Sequence, residues 1–341
     1  MRRGDNFHFC RSRSGFVGAV VLVAFVAAPA AAVNRPRVVI DAGHGGPDPG
    51  AVNCDFEYAG ESCLHEADIN LRIVRKIKRM LASTGIDLDL TRRRDQRVNR
   101  PFESIRTWNL GTNGKYRFYD DGALDSKDEL QARVNIANCA RPKRSCAPSS
   151  AKEADAFVSI HSNSCGGCGA RGATTFYHGS ESARLARLIQ RAVTALTDQK
   201  DRGTQVAPFY VLRWTRMPAA LLESGFMDNN REARRLMRSA FQKKIARGVS
   251  RAVLKFVCSG LGNAGRDNLT GTSKRDVLCG LGGHDEVTAR GGDDVILGGP
   301  GDDLLRGNGG DDYISGGPGA DVCLQGSGTG RQTGCEARSV Q

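Results

Sequence analysis

Histidine and glutamate stand where three apolar runs of this chain stop. Val38-Val39-Ile40-Asp41-Ala42-Gly43-His44 is a β-branched run ending at a glycine turn, with His44 just beyond it, which reads as a buried strand and its exit. Asp155-Ala156-Phe157-Val158-Ser159-Ile160-His161 repeats the pattern, and Pro218-Ala219-Ala220-Leu221-Leu222-Glu223 ends in a glutamate. Glu66 falls on the first turn of a helix marked out by Ile69, Ile73, Val74, Ile77 and Leu81. In an open α/β sheet, sites lie just past the carboxyl ends of strands. Taken singly, each residue has a plainer reading: His44 as a turn residue, Glu66 as a carboxylate offsetting the helix N-terminal charge, Glu223 as the partner of a surface arginine. Taken together, His44, Glu66 and His161 form a His2Glu set, a zinc arrangement that leaves a fourth position for water. Amide hydrolysis further needs a base and an acid, and Glu223 is the candidate for both.

His65 is a rival to Glu66 as ligand. Neighbours on a helix point about 100° apart, so only one of the two can face the metal. His178 and His284 read as loop and turn residues. Around these positions strands alternate with helices, with a strand at 171–177, a helix from Ser182 to Leu196 carrying Leu185, Leu188, Ile189 and Val193, and a long basic helix from Arg231 to Val257. Such alternation predicts an α/β fold with a mainly parallel sheet covered by helices on both faces.

From Gly262 a period of nine begins and runs without a break to Leu324. Its sixth position is always aspartate, at Asp267, Asp276, Asp285, Asp294, Asp303, Asp312 and Asp321. The eighth is apolar, at Leu269, Leu278, Val287, Ile296, Leu305, Ile314 and Cys323. Glycines allow tight turns, stacked aspartates offer oxygen ligands to a hard cation, and the apolar positions fill the centre of a small parallel β-roll. A glycine-rich tail without calcium is the plainer reading.

The order of motifs adds a resemblance. DAGHGG at 41–46, E-x-x-x-N-L from Glu66, Thr91-Arg92 with Asp95, Leu130-Gln131-Ala132-Arg133 through Ala137-Asn138, SIHSNS at 159–164 and Pro218-Ala219-x-Leu221-x-Glu223-x-Gly225-Phe226 resemble the zinc-dependent N-acetylmuramoyl-L-alanine amidases over residues 37 to 257. The nonapeptides resemble the calcium-binding repeats of RTX proteins. The first resemblance implies a phosphorylase/hydrolase-like α/β domain and zinc on His44, Glu66 and His161. It also implies catalysis by Glu223 and cleavage of the amide between N-acetylmuramic acid and L-alanine in peptidoglycan. Arg92, Arg133 and Asn163, inside matched motifs, become candidates for contacting substrate. Two features depart from the pattern: an insertion at about 97–129 containing Trp108, Tyr116, Phe118 and Tyr119, and the Cys165-Gly166-Gly167-Cys168 loop. A zinc peptidase cutting within the stem peptide and a non-catalytic, calcium-dependent wall-binding protein are the alternatives.

Charge and cysteines place the chain. Arg2, Arg3, Arg11 and Arg13 precede an apolar stretch from Gly15 to Ala28 and the small residues Ala30-Ala31-Ala32. This predicts a signal peptide over 1–32, too short for a stable membrane anchor. The expected location is the periplasm, the cell wall or the exterior. The domains are then 33–257 and 258–341. Cys10 would leave with the signal. The other ten cysteines suit an oxidising compartment, with Cys54–Cys63, Cys139–Cys146, Cys165–Cys168, Cys258–Cys279 and Cys323–Cys335 as candidate bridges. The net charge of +12 is uneven. Residues 33–261 hold 38 basic and 24 acidic side chains, whereas 262–324 hold 5 and 11. A basic catalytic part attracts anionic wall polymers. Nucleic acid is set aside as a partner, since no nucleic-acid-binding motif appears, and a monomer is expected.

Overall fold

The structure is a computed structural model that describes residues 35–55, 63–95, 108–110, 116–118, 126–138 and 153–338. The signal segment, most of the insertion, and Cys139 and Cys146 lie outside the described residues. The central sheet has six strands: β1 (Arg37–Ala42), β2 (Asp87–Leu90), β3 (Ala156–Asn163), β4 (Ala173–Tyr177), β5 (Asp201–Val206) and β6 (Ala219–Phe226). Their spatial order is β2-β1-β3-β6-β4-β5. The first four run parallel, β4 is antiparallel to β6, and β5 runs parallel to β4. Side chains alternate across a strand, so the two faces build separate cores. Ile40, Val158, Ile160 and Leu222 meet one set of helices: α1 (Glu66–Leu81), α3 (Ser180–Thr197) and α6 (Ser239–Val257). Val39, Phe157 and Leu221 face α2 (Ser126–Asn138) and α4 (Tyr210–Trp214).

The single helix expected over 231–257 is two helices, α5 (Asn230–Met237) and α6, separated by Arg238 in extended geometry. The Arg238 carbonyl accepts from the amides of Phe241 and Gln242 at 2.9 and 3.0 Å and so starts α6. The Gln242 side chain returns to the Leu236 carbonyl at 2.8 Å, satisfying an acceptor the break leaves open. An amphipathic pattern continues across such a break, which is why periodicity alone missed it.

The repeats form two parallel five-stranded sheets in which strands pair eighteen residues apart, as Val277 does with Val295 and Leu269 with Val287, except the last pair, Val322 with Ala337. Every turn of the roll therefore consumes two nonapeptides. The apolar eighth positions from Leu278 to Cys323 point inward as a row with Ala289. The roll's two sheets differ on their outer faces. One exposes polar residues such as Asn268, Thr270 and Arg306, whereas the other carries Val277, Cys279, Val295, Leu297 and Tyr313. Those five join the same apolar cluster as Ile77, Leu81, Ile86, Val253 and Leu254 of the α/β part. Leu297 is so close to the turn after α1 that a Cβ on Gly85 would lie 2.9 Å from its Cδ2. Residues from Val33 onward thus fold as one compact unit. Cys258–Cys279 ties the end of α6 to this interface, and Cys54–Cys63, Cys165–Cys168 and Cys323–Cys335 also form.

A shared core makes a definite thermodynamic prediction. Leu297→Ala should cost about 2–5 kcal/mol, the usual range for emptying a buried leucine site. Differential scanning calorimetry of the calcium-loaded chain should show one transition moved down as a whole. Two separate transitions, with only the smaller one displaced, would mean that the roll and the α/β part unfold independently.

Candidate active site

Three segments converge at the carboxyl end of the parallel strands. His44 follows β1, His161 lies near the end of β3, and Glu66 opens α1. One ligand atom from each lies within 4.8 Å of the others. Glu66 is 4 % exposed and His65 is exposed, so of these neighbours Glu66 is the one enclosed with the two histidines. The Glu66 carboxylate lies 3.2 Å from His44 Nε2 and 3.0 Å from His161 Nδ1. It also accepts from the amides of Ala51 and Ser162 at 2.9 and 3.0 Å and from Asn70 Nδ2 at 3.2 Å. Burial pushes its pKa up, but the two imidazoles outweigh this and hold it well below the carboxylate range.

The backbone is shaped to let these groups meet. A Cβ on Gly43 would lie 2.3 Å from His161 Nε2, and one on Gly50 would lie 2.6 Å from Glu66 Oε2. Only glycine fits at either place. His44 itself has φ of 60°, the left-handed region that is uncommon outside glycine and recurs at functional sites. Its Nδ1 is held 2.8 Å from Asp48 Oδ2, leaving Nε2 toward Glu66. A carboxylate behind the far nitrogen is the usual way a ligating histidine is oriented. Burial lowers the His44 pKa, yet Glu66 and Asp48 together lift it to about 9.

A buried layer beneath carries the histidine loop. Asp41 in β1 pairs with Arg133 from α2 and accepts from Thr91 and Ser159. Burial works against its charge, but these partners keep its pKa below the ordinary value. Arg133 also donates to the carbonyls of Ala42 and His44, both at 2.8 Å. Arg92, 1 % exposed, donates to the carbonyls of Ala42, Gly43 and Ala67. Both arginines were candidates for contacting substrate; their guanidinium groups are enclosed and turn most of their donors to the backbone around His44, with Arg133 also paired to Asp41 and Arg92 Nη1 left without a hydrogen bond. Asn163 remains half-buried at the end of β3. Asp41, Asp48 and Asn70 carried no assigned role in the sequence. The signals were there in an aspartate inside an apolar strand, and in Asn70 one helical turn after Glu66.

Glu223 pairs in register with His161 across β6 and β3, so its side chain stands beside the cluster on the same face. Its Oε2 is enclosed and has no hydrogen-bond partner. Burial raises its pKa to about 7, a value suited to exchanging protons near neutrality.

A His2Glu cluster at the strand ends of an α/β sheet suits a metal-dependent hydrolase, and comparison with known proteins gives the family. Residues 38–255 match the N-acetylmuramoyl-L-alanine amidase family, to which this chain belongs. The RTX calcium-binding nonapeptide repeat matches at 261–296 and 288–323. The protein YqiI of Bacillus subtilis is 32% identical over 235 residues, covering 67% of this chain and 89% of its own length. The N-acetylmuramoyl-L-alanine amidase LytC of the same organism is 27% identical over 223 residues, which is 64% of this chain but 35% of that protein. The CwlD amidase of Clostridioides difficile, solved with the GerS lipoprotein, is similar at a TM-score of 0.50 and 27% identity, covering 65% of this chain and 98% of that one.

In the roll, the repeated aspartates divide into two groups. Asp285, Asp294, Asp303, Asp312 and Asp321 each accept through Oδ1 from the amide eighteen residues earlier, at 2.7–2.9 Å. In Asp285, Asp294, Asp303 and Asp321 the other oxygen is buried without a partner. Asp267 and Asp276 differ, because Asn263 and Thr272 donate to their Oδ2 atoms. A cation is the natural partner for the orphaned oxygens, whereas Asp267 and Asp276 are satisfied within their own units. Burial raises Asp294 to about 7 and Asp303 and Asp312 to about 6, with neighbouring aspartates adding to the shift.

These raised values fix the sign of a pH effect. Without calcium, their stabilising contribution is full below about pH 4, the unfolded value, and is lost as pH rises through 6 to 7. In chelator, the melting temperature should therefore be higher at pH 5 than at pH 8, and calcium should narrow the difference. Asp294→Asn should flatten the dependence, separating it from His44, whose raised pKa acts in the same direction. A melting temperature in chelator that rises with pH would contradict the assignment.

Proposed function

We propose that this chain is an exported, zinc-dependent amidase that hydrolyses the bond between N-acetylmuramic acid and L-alanine in peptidoglycan. The observation that carries this reading is the His44–Glu66–His161 cluster, its ligand atoms within 4.8 Å, with the unpartnered Glu223 Oε2 beside it. The donor set fits zinc: two imidazole nitrogens and one carboxylate, with Asp48 orienting His44. When bound, zinc supplies Lewis acidity to the amide carbonyl and to a water molecule.

The remaining chemistry belongs to the protein. Glu223, near its midpoint of ionisation at neutral pH, takes the proton of the attacking water and delivers it to the leaving nitrogen of L-alanine. The Asp41–Arg133 pair and Arg92 hold the His44 loop rigid, so that the ligands do not reorganise during turnover. Calcium belongs at the orphaned aspartate oxygens of the roll. Through the shared core, calcium there stabilises the whole folded unit, as any ligand specific to the native state does. The predicted signal peptide places the mature protein outside the cytoplasm, and no helix among the described residues is long and apolar enough to cross a membrane.

Mass spectrometry of material released from purified peptidoglycan is the direct test. Free stem peptides with an L-alanine amino terminus are expected, lost on chelation and restored by zinc. Glu223→Gln should lower turnover by about 10²–10⁴-fold, the typical contribution of a positioned acid-base group. Fragments cut inside the peptide would make the enzyme a peptidase instead.

A further inference from the structure

Away from the hydrolytic centre, the last turns of α1 line a cavity of 310 Å³ together with the segment that follows β2. Its walls are Arg75, Lys78, Arg79, Ala82, Leu90 and Arg93. Four of these six residues are cations and none is acidic. The dipole of α1 favours cations at its C-terminus, which accounts for Lys78 and Arg79. It does not account for Arg93, which comes from a different segment, or for Arg75, whose guanidinium is fixed on the Arg93 carbonyl at 2.9 and 3.3 Å.

The carboxylates of β2 and the segment after it are already engaged. Asp87 pairs with Arg35 at 2.5 Å and Asp89 with Arg37 at 2.8 Å. Asp95 accepts from the Gly46 amide at 2.8 Å and lies 3.8 Å from Arg92. Among the described residues no ion pair neutralises Lys78, Arg79 or Arg93. On the same helix, burial first and then the charges of Arg79 and Arg72 depress the pKa of Lys76. Like charges gathered around a concavity repel one another, and a bound anion removes that repulsion.

The surroundings narrow the kind of anion. A membrane surface calls for apolar side chains beside the cations, whereas the apolar face of α1 is buried in the core and, among the described residues, the large exposed hydrophobics are Val52, Val206, Phe209, Trp214 and Val322. Single-stranded nucleic acid calls for aromatic platforms, and among the described residues none that lines the cavity is aromatic. We propose that this cavity binds the phosphate groups of an anionic wall polymer of the polyol-phosphate class, at the opposite end of α1 from Glu66. The proposal rests on the wall-hydrolase reading for the choice of polymer. The chain would then carry its own wall-retention site within the catalytic part, separate from the calcium roll.

The test uses the full chain and the variant Lys78→Gln/Arg79→Gln/Arg93→Gln, which keeps the Arg93 carbonyl that anchors Arg75. Binding is measured to purified glycerol-phosphate polymer and, separately, to phosphatidylglycerol vesicles at several salt concentrations. The unaltered chain should bind the polymer with salt-sensitive affinity, and the variant about tenfold or more weakly, with unchanged hydrolysis of walls stripped of polymer. Equal polymer binding by both proteins, or none by either, overturns the site. Loss of vesicle binding with polymer binding retained overturns the polymer assignment. Polymer binding that depends on these residues in a chain that releases no stem peptide would sustain the site while refuting the amidase reading.

Discussion

The buried carboxylate of Glu66 is the constraint to which the rest of the molecule answers. A carboxylate removed from water is costly unless its charge is paired and its lone pairs are used. Here two imidazoles, two backbone amides and one side-chain amide converge on it. Those donors come from three separate stretches of chain, so the carboxylate can be satisfied only if the loop after β1, α1 and β3 are all in place. The glycines at 43 and 50 follow from the same demand, because any side chain there would occupy the space the ligands need. A metal entering this cluster would meet donor groups that are already assembled.

The outline of this arrangement was legible in the sequence because strand ends announce themselves. An apolar run, a glycine and then a histidine or glutamate define position along the chain, and parallel strands bring such positions to one edge. The layer beneath was less legible. Arg92 and Arg133 sit in the matched motifs, and nothing in a one-dimensional pattern tells a guanidinium that faces substrate from one that turns inward to backbone carbonyls. Burial decides it, and burial depends on contacts fifty and ninety residues away. The break at Arg238 escaped notice for a different reason, since the apolar face of α5 resumes in α6 after one extended residue.

The repeats show the opposite balance. Their period fixed the inward row and the aspartate ladder with no knowledge of the rest of the chain. What the period concealed lies in the positions flanking the inward one. On one sheet Val277, Val295, Leu297 and Tyr313 replace the polar residues that a solvated sheet would carry, and they share one apolar cluster with residues of α1 and α6. The roll is thereby part of the enzyme's core as well as a repeat module. Since hydrophobic contact contributes about 25 cal/mol for each Å² of apolar area removed from water, a loosened roll exposes the α/β part along with itself.

The helix α1 joins these themes through its polarity. Its first turn carries Glu66 and Asp68, its later turns carry Arg72, Arg75, Lys76, Lys78 and Arg79, and each set lies at the end of the macrodipole that favours it. The helix is therefore a charged axis with the candidate metal centre at one end and the basic cavity at the other. Its apolar face meets β3 and α6, and the turn beyond it touches Leu297 of the roll. A dipole interaction weakens within a turn of either end, so the two ends are electrostatically almost independent. Packing, by contrast, couples them, because neither end can shift without moving the buried row of Ile73, Val74, Ile77 and Leu81. Chemistry and retention could therefore be altered separately by charge but only jointly by changes in the core.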